Sequence, residues 1–305
     1  MITANLEHFN GKPVVDYNPE TGIENTEVAY RLRIDYEQSE QNIRISDWLR
    51  QIAEHPNAAQ LEELVIGTWN FEGEPPTEII QTLIENKDQF QALKALMIGD
   101  ITYEEQEISW IQQSDLQPLL EAYPYLRWLQ ARGGNGLRLS NLTHTNLQTL
   151  ILESGGLFPD TIQDVIEAKL PNLEHLELWL GSSSYGFESS VDDLLPLMNK
   201  SKFPQLNYLG LRDSEIADEI AQTLRGRSVM DIIEVLDLSM GTLGDKGAED
   251  LFENNKIHRL KLLDLHYHYL SEAWMEKLKT LNIAVDLSDK QTAETEEDKY
   301  VAVAE

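Results

Sequence analysis

Along the chain, aliphatic residues recur in a short pattern, LxxLxL, in which isoleucine, alanine or valine sometimes replaces a leucine. It reads LEELVI from Leu61, LKALMI from Leu93, LRWLQA from Leu126, LQTLIL from Leu147, LEHLEL from Leu173, LNYLGL from Leu206, IEVLDL from Ile233 and LKLLDL from Leu260. Weaker copies, AYRLRI from Ala29 and LKTLNI from Leu278, stand at the two ends. Successive copies begin 18 to 33 residues apart. Within each copy the fourth and sixth positions alternate with others, which is the period of a short strand with one buried face.

Between the strands lie stretches with helical spacing. Asp160–Ala168 aligns Ile162, Val165 and Ile166 between Pro159 and Pro171, and Gly244–Glu253 carries Ala248, Leu251 and Phe252 on one face. Ser190 with Asp193 fits a capping box ahead of Leu194, Leu195 and Met198. Further helices are expected at 46–54, 76–90, 115–122, 217–224 and 271–278. A strand-turn-helix unit of this size cannot bury its apolar face alone, so neighbours must stack. The expected fold is an α/β solenoid with a curved parallel sheet on its concave side and helices on its convex side.

The copies resemble the ribonuclease-inhibitor-like class of leucine-rich-repeat proteins, whose long repeat runs LxxLxLxxNxLxxxGaxxLxxxL. The best match is IEVLDLSMGTLGDKGAEDLF from Ile233, followed by LNYLGLRDSEIADEIAQTL from Leu206. More narrowly, LPNLEHLELWLG, LGLRDS, LDLSMGTLGDKGA and LDLHYHYLSE are similar to a group of bacterial cytoplasmic leucine-rich-repeat proteins without an established activity. At the ninth repeat position, where the family often has asparagine, this chain has Gly134, Gly155, Gly181, Ser214 and Gly241, so an asparagine ladder is absent.

This divides the chain into an N-terminal cap (1–28), an array of about ten repeats (29–287) and an acidic, partly disordered tail (288–305). No linker rich in proline, glycine and serine interrupts the array. Three longer insertions, GTWNFEGEPP, QARGGNGLRL and WLGSSSYGFESS, all follow a strand and should crowd one rim.

Composition narrows the function. The 305 residues contain 24 lysines and arginines against 53 aspartates and glutamates, a net charge of −29, which repels nucleic acid and favours basic partners. With no cysteine, thiolate metal sites and thiol nucleophiles are excluded. The start lacks the basic and apolar regions of a secretory leader, and no stretch is apolar enough to span a bilayer, so a cytoplasmic location away from membranes is expected. No phosphate cradle, GxSxG elbow, HExxH helix or EF-hand loop is present, so no cofactor is expected. His266-Tyr267-His268, with Asp264 in line, is the one metal-like arrangement, and it reads better as polar strand residues running into a turn, so no metal is assigned.

In this pattern the third, fifth and seventh positions face away from the leucines. They supply Trp128, His175 and Tyr208 at the third, Glu177, Asp237 and Asp264 at the fifth, and Arg132, Glu153, Trp179, Arg212 and His266 at the seventh. Trp128, Trp179 and Tyr208 are expected to face solvent, flanked by the charged residues of this set, as in an interaction surface rich in aromatic and arginine anchors. The expected function is therefore a non-catalytic scaffold that holds a protein or peptide, favouring a basic one, on this face and the post-strand rim. Two alternatives are an edge that assists a partner enzyme, as in GTPase-activating proteins, with Arg132 or Arg212 as the acting group, and self-association of undetermined order.

Overall fold

A computed structural model describes residues 1–305. Its twelve strands stand in one sheet in the order of the chain, parallel from the second strand onward, with helices between them. This is an α/β solenoid of the leucine-rich-repeat type. By contacts the chain forms two compact units, an N-terminal one (mainly 2–150) and a C-terminal one (mainly 151–166 and 171–304). No helix is long and apolar enough to cross a membrane.

The N-terminal unit begins with a hairpin of β1 (His8–Phe9) and β2 (Lys12–Asp16), joined by Asn10 and Gly11, both at positive φ. Such a two-residue turn matches the right-handed twist of the flanking strands. β2 then pairs in parallel with β3 (Ala29–Leu32), followed by β4 (Glu63–Ile66), β5 (Ala95–Ile98) and β6 (Trp128–Arg132). Helices α1 (Tyr36–Glu40), α2 (Ile45–Glu54), α3 (Thr77–Glu85) and α4 (Gln117–Ala122) fill the intervals. α2 buries Trp48, Leu49 and Ile52.

The register Leu64↔Leu96↔Leu129 agrees with the repeat pattern, but Tyr30, not Leu32, pairs with Leu64. The first copy is therefore slipped by two residues from its expected alignment. An even slip keeps each side chain on the same face.

β7 (Thr149–Glu153) spans the boundary between the units. In the C-terminal unit β8 (His175–Gly181), β9 (Tyr208–Ser214), β10 (Val235–Asp237), β11 (Leu262–Asp264) and β12 (Ala284–Asp286) align Leu176, Leu209, Leu236, Leu263 and Val285. The last copy is thus displaced by four residues from the one read at Leu278, which instead ends a helix. The four aligned leucines are fully buried, each contributing about 1.5 to 3 kcal/mol by leaving water. Helices α5 (Pro159–Glu167), α6 (Ala217–Leu224), α7 (Asp245–Glu253) and α8 (Glu272–Leu278) complete this unit. The helix expected after Ser190 is only a 3₁₀ turn at Leu195–Met198, where Pro196 lacks an amide proton. Asp193 still accepts from the Ser190 amide, at 2.8 Å.

Backbone groups replace the missing asparagine ladder. The amides of Ser182, Glu215 and Thr242 donate to the carbonyls of Gly155, Gly181 and Ser214, so each tenth position reaches the ninth position of the preceding repeat. A Cβ on Gly181, at φ 72°, would collide with the Gly155 carbonyl. Close approach of turn to turn explains glycine at this position.

The acidic stretch 288–305, expected to be partly disordered, ends in a packed segment. Val301 and Val303 are buried, the Ala302 amide donates to the Met240 carbonyl, and the Val303 amide donates to Asp213 Oδ1. Acidic composition averaged over the tail conceals this alternation of two valines.

Candidate functional site

In the C-terminal unit the third, fifth and seventh positions of successive strands converge on one arginine. The fifth positions Glu177, Gly210, Asp237, Asp264 and Asp286 stand side by side across β8 to β12. Glycine at 210 leaves a gap in this row: a Cβ there would lie 3.1 Å from the Tyr208 ring and 3.2 Å from Glu177 Cγ. Into that space fold Tyr208, Glu177 and Arg212.

The Arg212 guanidinium donates from Nη1 to Glu177 Oε1 at 2.6 Å, and its Nε lies 3.2 Å from Asp237 Oδ2 and 3.0 Å from Ser239 Oγ. It also lies over the Trp179 ring, 5.2 Å from the centroid. The Trp179 indole donates to Glu177 Oε1 at 2.7 Å, the Tyr208 hydroxyl donates to Asp237 Oδ2 at 2.6 Å, and His175 stacks on Tyr208 at 3.7 Å. The result is a polar layer of two carboxylates, one guanidinium and three rings.

Burial opposes ionisation of Glu177, but the His175 contact, the Arg212 charge and the Trp179 indole outweigh it and hold the carboxyl down at about 2. Burial raises the Asp237 carboxyl despite Arg212, and Asp264 alongside adds to the rise. Arg212 remains charged, because the two carboxylates overcome its own burial.

The next strand carries a second, more open pair. His266 Nδ1 lies 2.7 Å from Asp264 Oδ1, and the side chains are 26% and 20% exposed. The hydrogen bond to Asp264 raises the His266 imidazole above 6.5; burial of Asp264 is outweighed by His266, which lowers that carboxyl below 3.8. The raised histidine contributes stability at pH values below about 6.5 that is lost as pH climbs through its folded value. The lowered aspartate contributes above about 3.8 and loses its share as pH falls through its folded value. The pair is therefore most stabilising between those limits. We expect the His266 Hε1 resonance to titrate above 6.5 and to fall back in Asp264→Asn; a midpoint at or below 6.5 in the parent chain would contradict the pairing.

The sequence-predicted residues separate into three situations. His175, Tyr208, Arg212, Asp264 and His266 are partly exposed on this face, as expected of a surface. Glu177, Trp179 and Asp237 belong to the same layer but are buried, so Trp179 does not face solvent; the guanidinium covers it. Glu153, in the same unit, is also buried. In the N-terminal unit Arg132 is buried, donating to the Ile101 carbonyl at 2.8 Å and approaching Asp100 at 3.7 Å. Trp128 meets Phe9 edge-on at 5.9 Å, in an apolar cluster with Val65, Ala95 and Met97. The hairpin thus covers the indole expected to be free. Both candidate arginine fingers are tied down in ion pairs within their own unit. His268 is buried, its Nδ1 accepting from the Leu270 amide and its Nε2 donating to the Leu287 carbonyl, so it braces a turn and does not join His266.

Two residues of the site escaped the sequence: Met240, which with the seventh-position Ser239 holds the far edge of Arg212, and Asp286, which extends the aspartate row once the last copy is placed correctly. The large aromatics most open to solvent, Tyr125, Tyr300, Trp110 and Tyr36, lie outside the strands, where alternation carries no signal.

A crystal structure of a protein from Bacteroides fragilis is similar to this chain over 89% of its length and 76% of the other, with a TM-score of 0.84 and 34% identity. The chain belongs to the family of this Bacteroides protein. An internalin from Listeria monocytogenes also matches, at 14% identity and a TM-score of 0.38, over 88% of this chain and 62% of the internalin. No family model and no curated protein matches.

Proposed function

We propose that this chain is a non-catalytic interaction scaffold of the ribonuclease-inhibitor-like leucine-rich-repeat class, working in the cytoplasm of a bacterial cell. Its partner is a protein or peptide that offers a basic side chain to the odd-position face of the C-terminal unit. The observation that carries this reading is the layer centred on Arg212: buried ion pairs fix its floor, while the His175–Tyr208 stack and the Asp264–His266 pair present half-exposed groups above it. Rings and charges held rigidly lose little freedom on binding. A charge of −29 speeds the approach of a basic partner.

The post-strand rim of this unit is a weaker surface, because residues 301–303 already pack against Asp213 and Met240. Asp237 is likewise removed from the acidic surface, since Arg212 and Tyr208 engage it, whereas Lys261 pairs with Glu234. Asp264 remains accessible.

The test is affinity capture from native cells with the parent chain and with a His175→Ala/Asp264→Asn variant. A partner held by the parent should be retained at least tenfold more weakly by the variant, with a shallower salt dependence. Equal retention and an equal salt slope would remove this face from the binding site.

A further inference from the structure

We propose that Asp264, His266 and Asp286 together form a binding site for one divalent transition-metal ion of the zinc class. Parallel pairing of β11 with β12 places Asp264 directly beside Asp286, and the alternation of the chain brings His266 to the same face. One imidazole nitrogen and one oxygen from each carboxylate lie within 4.8 Å of one another. A tetrahedral ion with bonds of about 2.0 to 2.2 Å sets its ligand atoms about 3.4 Å apart, so the His266–Asp264 contact of 2.7 Å must open and the wider separations must close. All three side chains are partly exposed, so small rotations can make both adjustments without disturbing the core.

The aspartate row has a gradient of charge compensation. Asp237 is satisfied by Arg212 and the Tyr208 hydroxyl, while the ion-pair partner of Asp264 is His266. At the Asp264–His266 contact the imidazole Nδ1–H donates its proton to Asp264 Oδ1, 2.7 Å away. An entering cation bound by these two atoms and by Asp286 displaces that proton to solvent, neutralising two adjacent carboxylates at once. The backbone amides of His266 and Ser288 donate to Asp264 and Asp286 and aim their carboxylates. An imidazole beside two carboxylates favours zinc-like ions over magnesium or calcium, which prefer oxygen ligands throughout. Three protein ligands leave a coordination position for water or for a donor atom of another molecule.

The site does not depend on the scaffold reading, and its test needs no partner. The full chain, stripped with chelator, is titrated with Zn²⁺ by calorimetry and with Co²⁺ by visible absorption, alongside His266→Gln and Asp286→Asn. We expect one ion per parent chain, a zinc-dependent rise in Tm, and a Hε1 shift confined to His266 among the seven histidines. Each variant should bind at least tenfold more weakly while its metal-free Tm stays close to that of the parent. No binding at millimolar zinc, or binding of equal strength in both variants, would overturn the site. If the metal-free variants melt early, the histidine resonance of the parent decides: an unshifted His266 in the presence of zinc refutes the proposal.

Discussion

Arg212→Ala is expected to lower the stability of the C-terminal unit by about 3 to 5 kcal/mol, the cost of breaking a buried ion pair from one side. The loss leaves Glu177 and Asp237 without their counter-ion, and their side chains are 8% and 3% exposed. The deficit has a predictable pH dependence. In the parent chain Glu177 is held at about 2, so its contribution is present above the ordinary carboxylate range and fades as pH falls toward that value. Without the guanidinium both carboxyls titrate higher and escape the penalty by taking up protons. The difference between parent and variant in urea unfolding should therefore be largest near neutrality and shrink as pH falls below about 5. Arg212→Lys should recover only part of the loss, because an ammonium cannot span Glu177, Asp237 and Ser239 as a planar fork does. A deficit below about 1 kcal/mol at neutral pH would mean that the layer is not held by this residue.

Leu236→Ala should cost about 2 to 5 kcal/mol, through lost transfer free energy and the cavity left behind. Leu236 and its register partner Leu209 are fully buried, and Leu209→Ala should fall in the same range. Leu262 occupies the third position on the next strand and is only partly buried. Its replacement by alanine should cost less than either core leucine. Thermal or denaturant unfolding of the three variants compares the fourth position with the third, and similar losses at Leu262 and Leu236 would place the register in error.

The middle of the fold was legible because every central copy repeats the same apolar spacing, and pairing of Leu64 with Leu96 and of Leu209 with Leu236 follows from it. The ends were harder. Tyr30 and Val285 take positions that the pattern gives to leucines, and nearby leucines offer competing alignments. Both slips were even, so the face of Arg31 and of Asp286 did not change. What strand alternation cannot tell is what lies over a face. Trp128 and Trp179 point where expected, yet one meets Phe9 from the hairpin and the other lies under Arg212. A signal for the first existed in Asn10-Gly11, a turn pair between Phe9 and the run Lys12-Pro13-Val14-Val15, which forecasts a hairpin. For the second, Gly210 was the clue: a glycine in a strand interior marks a place where other groups close in. The packed valines near the C-terminus were hidden by the acidic residues before them.

The placement of the binding surface is tested most directly by the histidine side-chain resonances of the full chain in the presence of its captured partner. Four histidines bracket the question within one unit or serve as internal controls: His175 and His266 stand on the odd-position face, whereas His144 and His268 are buried and brace turns. Binding at the Arg212 layer should shift or broaden the Hε1 signals of His175 and His266 and leave those of His144 and His268 in place. Perturbation confined to His8, His55 or His258, with His175 and His266 unmoved, would contradict it and put the working surface elsewhere on the chain.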